Sequence, residues 1–347
     1  MKQRLIYIYP LLFVLLVLQS CSEPVPVPEK LPLSVKENLR YLQPDAQFIM
    51  YFNFRNMRQS EFWNAHISDS IFAGENSFGT LLNIFRESTG ASISKGLDEL
   101  YYSNSWIGDN AILMKGDFDS ERFKQVIQND SAYLTKVYPN GIILYNNIEN
   151  GLYIFFKDKF TICSSNILSQ IEYMMQISDT TGMPGMKESS GLYHAVDRAM
   201  YKSNIIMAAT EKTFIRGIFL NYLESQALSG EYNKPDSVVS FEKDLRGFYE
   251  RVDFVTFSVM LRDDLTFAIQ VGCKDSKDAE FLRRTVNGLI TLSKLSAAGD
   301  KEDVQKDFLN SITNKVYDKE LLIQMKITDS NLETFRKNLL YSPPETE

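Results

Sequence analysis

The side chains that could do chemistry are few and scattered. The 347-residue chain holds two histidines, His66 and His194, and neither has a His or Cys neighbour at metal-ligand spacing. No zinc or other metal ligand set can be assigned. An isolated histidine can act as a general base, but such residues usually serve surface or packing roles. Gly-x-Ser-x-Gly does not occur, so the strand-to-helix turn that exposes a serine nucleophile has no candidate. Neither a Walker loop nor Gly-x-Gly-x-x-Gly occurs, so no phosphate cradle and no cofactor is implied. Asp263 and Asp264 are adjacent, whereas a glycosidase needs two carboxylates across a cleft. They read as turn residues. Asp109, Asp117 and Asp119 imitate a calcium loop but lack its central glycine and closing glutamate. No catalytic residue is assigned.

The one cysteine whose position suggests a modification is Cys21. Lys2 and Arg4 open the chain, Pro10 interrupts the apolar run, and residues 11–18 form a continuous apolar block. That is the pattern of a secretory signal. The block is short of the roughly 20 residues that a spanning helix needs. It closes on Leu18-Gln19-Ser20-Cys21, which resembles the lipobox of bacterial lipoproteins. The resemblance implies cleavage before Cys21 and a lipid on its sulfur. It further implies an exported, membrane-anchored protein, with Ser22 compatible with delivery to the outer membrane, periplasmic face. An ordinary signal peptide cut near Ser20 or Ser22 is the alternative. Each buried methylene contributes about 0.8 kcal/mol, so several acyl chains hold firmly where one holds weakly.

Residues 22–32 alternate proline with other residues, and proline favours extended backbone on both sides of itself. The segment 21–42 is expected to be a lipidated, proline-rich tether that holds a folded body off the membrane. A proline-rich recognition ligand is the competing reading.

Removing the first 20 residues leaves 327 and takes Lys2 and Arg4 with it, so the formal charge moves from −7 to −9. An acidic body without a basic run argues against nucleic acid, whose phosphates need clustered Lys and Arg. The length suggests two domains or two similar units. Cys163 and Cys273 lie in the apolar, strand-like runs Thr161-Ile162-Cys163 and Val271-Gly272-Cys273. They either pair after export or stay as buried thiols; two isolated cysteines show no disulfide framework.

The elements that would position these residues read as one α+β unit used twice. Residues 46–54 predict a leading strand, 78–85 a helix, and 100–106 with 110–116 a strand pair. A helix capped by Asp119 or Ser120 follows, then strands at 141–145, 152–156 and 160–163, and a helix from Ser164 to Met175. The second half repeats the rhythm. It has a strand at 204–207, helices through Tyr222 and Phe248, a hairpin 252–272 around Arg262-Asp263-Asp264, a helix 279–292, a strand 319–327, and a last helix opened by Asp329-Ser330-Asn331.

Gly116-Asp117-Phe118-Asp119-Ser120 parallels Gly272-Cys273-Lys274-Asp275-Ser276: a glycine closes a strand and an Asp-Ser pair caps a helix. Phe123 and Phe281 follow on the two helices. Caps and turn glycines also recur in any α+β protein, but here their order is kept as well as their type. The expectation is α+β: two similar units of mainly antiparallel sheet with helices packed on one face, spanning 43–202 and 203–347. Two sheets with a shallow groove between the halves are expected.

Together, Pro44-Asp45-Ala46, the stretch 116–127 and Lys277-Asp278-Ala279 resemble a broad group of exported bacterial repeat proteins of unknown function. That resemblance implies neither an activity nor catalytic residues. Thr181 to Met186 reads as a connection whose methionines either form a binding lip or cover an apolar edge. Tyr101, Tyr102 and Trp106 give an aromatic strand, expected mostly in the core. The functional expectation is a lipid-anchored cell-envelope protein that binds or scaffolds. Its partners would be the membrane, through Cys21, and an envelope protein or polymer. The alternatives are a hydrolase with an unrecognised site between the halves, and a carrier of a small apolar ligand with an enclosed cavity.

Overall fold

The computed structural model describes residues 25–67, 85–105, 108–177, 186, 190–210, 249–296, 309–328 and 331–332. Helix α1 (Leu33–Leu39) leads into strand β1 (Phe48–Asn53), and the short helices α2 (Phe54–Gln59) and α3 (Glu61–His66) follow at once. Then come β2 (Leu97–Asn104), β3 (Asn110–Gly116), α4 (Ser120–Gln128), β4 (Tyr133–Val137), β5 (Ile143–Asn147), β6 (Leu152–Asp158) and β7 (Thr161–Ser165). Helices α5 (Leu168–Gln176) and α6 (Gly191–Arg198) precede β8 (Ile205–Ala209). The chain continues with β9 (Val252–Leu261), β10 (Leu265–Cys273), α7 (Ser276–Ser296), β11 (Thr313–Tyr317) and β12 (Glu320–Ile327).

The architecture is α+β and the sheet is antiparallel, as expected. The strands form one sheet of twelve in the order β11-β12-β10-β9-β8-β1-β2-β3-β7-β6-β5-β4. The expected pair of sheets, and the groove between them, is therefore replaced by a continuous ladder. Strand β1 hydrogen-bonds β8 with Met50 opposite Met207. The reason is that both leading strands are apolar on both faces, so each needs a strand at its edge as well as cover above and below. Outward from the β1–β8 pair the order runs β1-β2-β3-β7 one way and β8-β9-β10-β12 the other.

Alternation along the strands divides the core in two. Ile49, Tyr51, Tyr101, Leu113, Cys163 and Ile206 bury toward the face covered by α1, α5 and α6. Phe52, Leu100, Met114, Ile154, Ile162 and Val259 bury toward the opposite face, beneath residues of α2, α3 and α4. Helix α7 covers that second face over β10 and β12, through Ala279 and Leu282 against Val271 and Leu321. In the first half helices thus cover both faces, because its strands are apolar on both. In the second half the long helix α7 lies on a single face.

Local chemistry sets the ends of elements. Asn53, Ser60 and Asp119 accept backbone N–H bonds at the starts of α2, α3 and α4. Arg58 on α2 donates to the carbonyls of Ile93 (2.8 Å) and Leu97 (2.6 Å) and to Asp98 (2.7 Å), which locks α2 onto the start of β2. Gly116 and Gly272 lie at the ends of β3 and β10 with close neighbours on the side where a Cβ would go. A Cβ on Gly116 would lie 2.1 Å from the Gly96 carbonyl oxygen, and one on Gly272 would lie 2.2 Å from the Phe254 ring.

The segment 21–42 is part of the body from Glu29 onward. Leu31, Val35, Leu39 and Leu42 are buried, and residues 33–39 are helical rather than extended. Burying each of these side chains contributes about 1.5–3 kcal/mol, which outweighs the extended preference of the prolines before them. No disulfide joins Cys163 and Cys273: both are buried, in different halves and on opposite faces of the sheet.

Candidate functional site

The residues before α1 form a strap along the α1 face of the second half. Glu29 fastens it. Its backbone N–H donates to the Met200 carbonyl (3.0 Å). Its carboxylate accepts from the Lys202 backbone N–H (2.7 Å) and the Ser203 hydroxyl (2.9 Å). The Lys202 ammonium returns a bond to the Glu29 carbonyl, and Arg262 stands 4.0 Å from the second carboxylate oxygen. Lys202 is only 1 % exposed. Burial pushes its pKa down, against the pull of Asp197 and Glu29. Val25 and Val27 face solvent, while Pro26 and Pro28 are half-buried.

Between the strap and the outer strands lies a cleft of about 520 Å³. The strap gives one wall, through Pro26 and Pro28, and the β11–β12 turn gives the other, through Val316, Tyr317 and Lys319. Met200, Leu322 and Gln270 form the floor, where Met200, Leu322 and Ala268 pack together. Asp318, at φ 53°, takes the left-handed conformation that closes the tight β11–β12 turn. Arg198 lies 3.4 Å from Glu320 at the rim. Burial raises the Glu320 pKa, and Arg198 and Lys319 oppose the rise.

Gln270 is 4 % exposed, and its side-chain oxygen has no hydrogen-bond partner among the described residues. Thr256, directly opposite on β9, is fully buried with its hydroxyl in the same condition. One row further along, polar groups on this face are satisfied. Ser258 Oγ accepts from the Tyr201 N–H (3.2 Å), and Gln324 donates to the Tyr201 hydroxyl (3.0 Å). The unmet pair sits under the cleft.

A second cluster lies under α1. The Tyr101 hydroxyl donates to Glu99 (2.8 Å) and accepts from Asn38 (3.0 Å), and Asn53 donates to the Tyr51 hydroxyl (3.1 Å). Burial drives both phenols well above their usual pKa, Tyr51 adding to the rise at Tyr101 and Glu99 adding to it at both. They stay protonated, so they tie α1 to the sheet rather than transfer protons. A polar cleft of about 240 Å³ beside them brings Lys115 and Lys157 near Asp158 and Glu37. Lys157 is already engaged, 4.2 Å over the Tyr41 ring and donating to the Ile177 carbonyl (3.1 Å).

No family model and no curated protein matches the sequence. Solved structures with a similar course include crystal form III of TP0453, 9 % identical, with 86 % of this chain and 97 % of that one covered and a TM-score of 0.45. Crystal form IV is 8 % identical, with 88 % and 96 % covered and a TM-score of 0.43.

The residues singled out in the sequence do not converge. His66 ends α3 beside Phe62 on one face, and His194 is exposed on α6 on the other. Asp264 pairs with Lys326 at 2.5 Å, and Asp263 is its neighbour in the β9–β10 turn. Asp119 caps α4 by accepting from the Arg122 N–H (2.9 Å). Among the described residues no three His, Cys, Asp or Glu side chains are placed to hold a metal ion, and no helix is long and apolar enough to cross a membrane. Tyr101 is fully buried and Tyr102 half-buried on the other side of the sheet; Met186 is buried in the core. Cys21, Trp106, Met183, residues 78–84, the helices through Tyr222 and Phe248, and Asp329-Ser330 lie outside the described residues. Sequence reading missed Glu29, Lys202 and Gln270. The available signals were a glutamate between prolines, a lysine after Met200-Tyr201, and a glutamine inside a mostly apolar strand.

Proposed function

We propose that this protein is a lipid-anchored cell-envelope protein that works by binding a partner, a protein or an envelope polymer, at the outer membrane's periplasmic face. The observation that carries the reading is the strap. The lipobox-like run ends at Cys21, and the segment that follows is gripped by the body at Glu29 and walls a cleft. Val25 is four residues from Cys21, so an extended chain reaches at most about 14 Å from the anchor to the cleft. Attachment and cleft are thereby coupled, which suits a protein that meets its partner close to a membrane.

The hydrolase alternative relied on a groove between the halves, where strands β1 and β8 instead pair directly. The carrier alternative needs an enclosed apolar cavity; among the described residues the apolar pocket beneath Phe85, Ile93 and Phe118 amounts to about 10 Å³, the room of one water.

Mass spectrometry of the amino-terminal fragment, with membrane fractionation of wild type and Cys21→Ser, tests the proposal. The expected result is a multiply acylated Cys21 and release of the variant from the membrane. An unmodified terminus, or a wild type that fractionates as free protein, would sink it.

A further inference from the structure

The geometry points to the strap cleft as a binding site for an uncharged, extended stretch of peptide, held at its floor through a hydrogen bond to Gln270. The inference rests on the binding role proposed above and names the ligand class.

Three observations select that chemistry. The first is the unmet acceptor. Gln270 is nearly fully buried in the cleft floor, and its carbonyl oxygen lacks a donor. Leaving such a group unsatisfied is costly, and a ligand N–H removes the cost. The last torsion of a glutamine side chain is soft, so the amide can turn its oxygen toward a ligand without moving the strand. Thr256, opposite it on β9, also has an unpartnered hydroxyl, which can accept from a ligand N–H or donate to a ligand carbonyl.

The second is the charge balance of the rim. Arg198 faces Glu320, and Lys319 stands beside Asp318, so the four formal charges cancel. The rim therefore carries no excess of one sign that would favour a phosphate, a carboxylate or an ammonium ion. The third is the shape and lining. Met200, Leu322, Tyr317 and the two prolines offer apolar surfaces, and one wall is already a stretch of peptide, the strap itself. An extended chain lying beside it offers backbone N–H groups at short intervals and small side chains to the floor. A sugar would demand several more donors and acceptors than this lining supplies.

The probe is N-acetyl-Ala-Val-Ala-Val-amide, titrated into full chain carried in lipid nanodiscs and, separately, into Cys21→Ser chain in solution. Methyl NMR of Met200 reads the cleft floor. A saturable shift of the Met200 methyl is expected in both preparations. Gln270→Leu should weaken binding at least ~10-fold, which corresponds to about 1.4 kcal/mol. Val25→Lys, on the exposed strap wall where folding is not at stake, should weaken it, while Val126→Thr on the far face should leave it unchanged. A Met200 signal that does not move up to the solubility of the peptide would overturn the inference. So would a folded Gln270→Leu chain that binds as tightly as wild type, or a neutral long-chain fatty amide that binds where the peptide does not. If Cys21 carries no lipid the chain will not load into nanodiscs, yet the soluble arm still reads the cleft, so the two failures look different.

Discussion

Met50 and Met207 face each other across the β1–β8 pair, and each is the third residue of its strand. Outward from this pair the strand order of one half parallels that of the other, β1-β2-β3-β7 against β8-β9-β10-β12, the order that the repeat proposed from the sequence would give. Details agree. Asp119 caps α4 three residues after Gly116, and Asp275 caps α7 three residues after Gly272, each accepting a backbone N–H at 2.9 Å. Phe123 and Phe281 both fall early on their helices, but not at the same offset. Counted from the glycine, Ala279 takes the place of Phe123; both are buried, while Phe281 is partly exposed.

Because the two core layers cross the junction, the halves should unfold together. Leu321 is fully buried beneath α7, and Leu321→Ala should cost about 2–5 kcal/mol. Both tryptophans, Trp63 and Trp106, lie in the first half. In urea, their fluorescence midpoint should fall by as much as the far-ultraviolet dichroism midpoint. A tryptophan transition that ignores the substitution would mean two independent units.

Removing the strap's fastening should loosen it without unfolding the body. Glu29→Ala leaves the Lys202 N–H and the Ser203 hydroxyl without their acceptor. Lys30 is exposed on the strap, so tryptic cleavage there reports its opening. Cleavage should accelerate roughly 10-fold, as a loss of about 1.4 kcal/mol in closing free energy implies. Exchange of the Lys202 amide proton should rise in parallel. Unchanged rates would show that burial of Leu31 alone holds the strap.

The tyrosine cluster predicts an alkaline limit. Burial raises the folded pKa of Tyr51 and Tyr101 above the ordinary phenol value of 10.0, Glu99 adding to both. A raised folded pKa means that the unfolded chain ionises first. The stabilising contribution is therefore complete below about pH 10 and is lost as pH climbs beyond it. Denaturation midpoints should fall steeply there, with phenolate absorbance appearing together with unfolding. Tyr101→Phe should lower neutral-pH stability by about 1–3 kcal/mol, since Asn38 and Glu99 lose a shared partner, and should make the alkaline loss shallower.

Much of this fold was legible because its signals are local. The β9–β10 hairpin follows from alternation around Arg262-Asp263-Asp264, and the α4 start follows from Asp119. Strands β4 and β11 escaped notice because they are the two edges of the sheet: β4 is almost wholly exposed and β11 has no buried residue, so neither shows a buried face in its sequence, and only a neighbour makes them strands. Helix α1 was hidden behind the prolines that precede it. The cleft was not legible at all. Pro28, Met200, Gln270 and Glu320 come from four distant stretches, and only the sheet register brings them together.

Gly116 and Gly272 occupy corresponding places but should not tolerate alanine equally. At Gly116 the added Cβ meets the Gly96 carbonyl, 2.1 Å away, and that backbone is held by the Asp117 N–H bond (2.8 Å). The strand end must move, so Gly116→Ala should cost about 3 kcal/mol or more. At Gly272 the clash is with the half-exposed ring of Phe254, which can swing outward. Gly272→Ala should cost about 1–2 kcal/mol, and Phe254→Ala in the same chain should recover part of it by removing the ring. Urea denaturation of the four chains measures the difference. Equal costs at the two glycines would show that the Gly96 loop gives way as readily as a single side chain, and that the tight approach there is not a fixed feature of the first half.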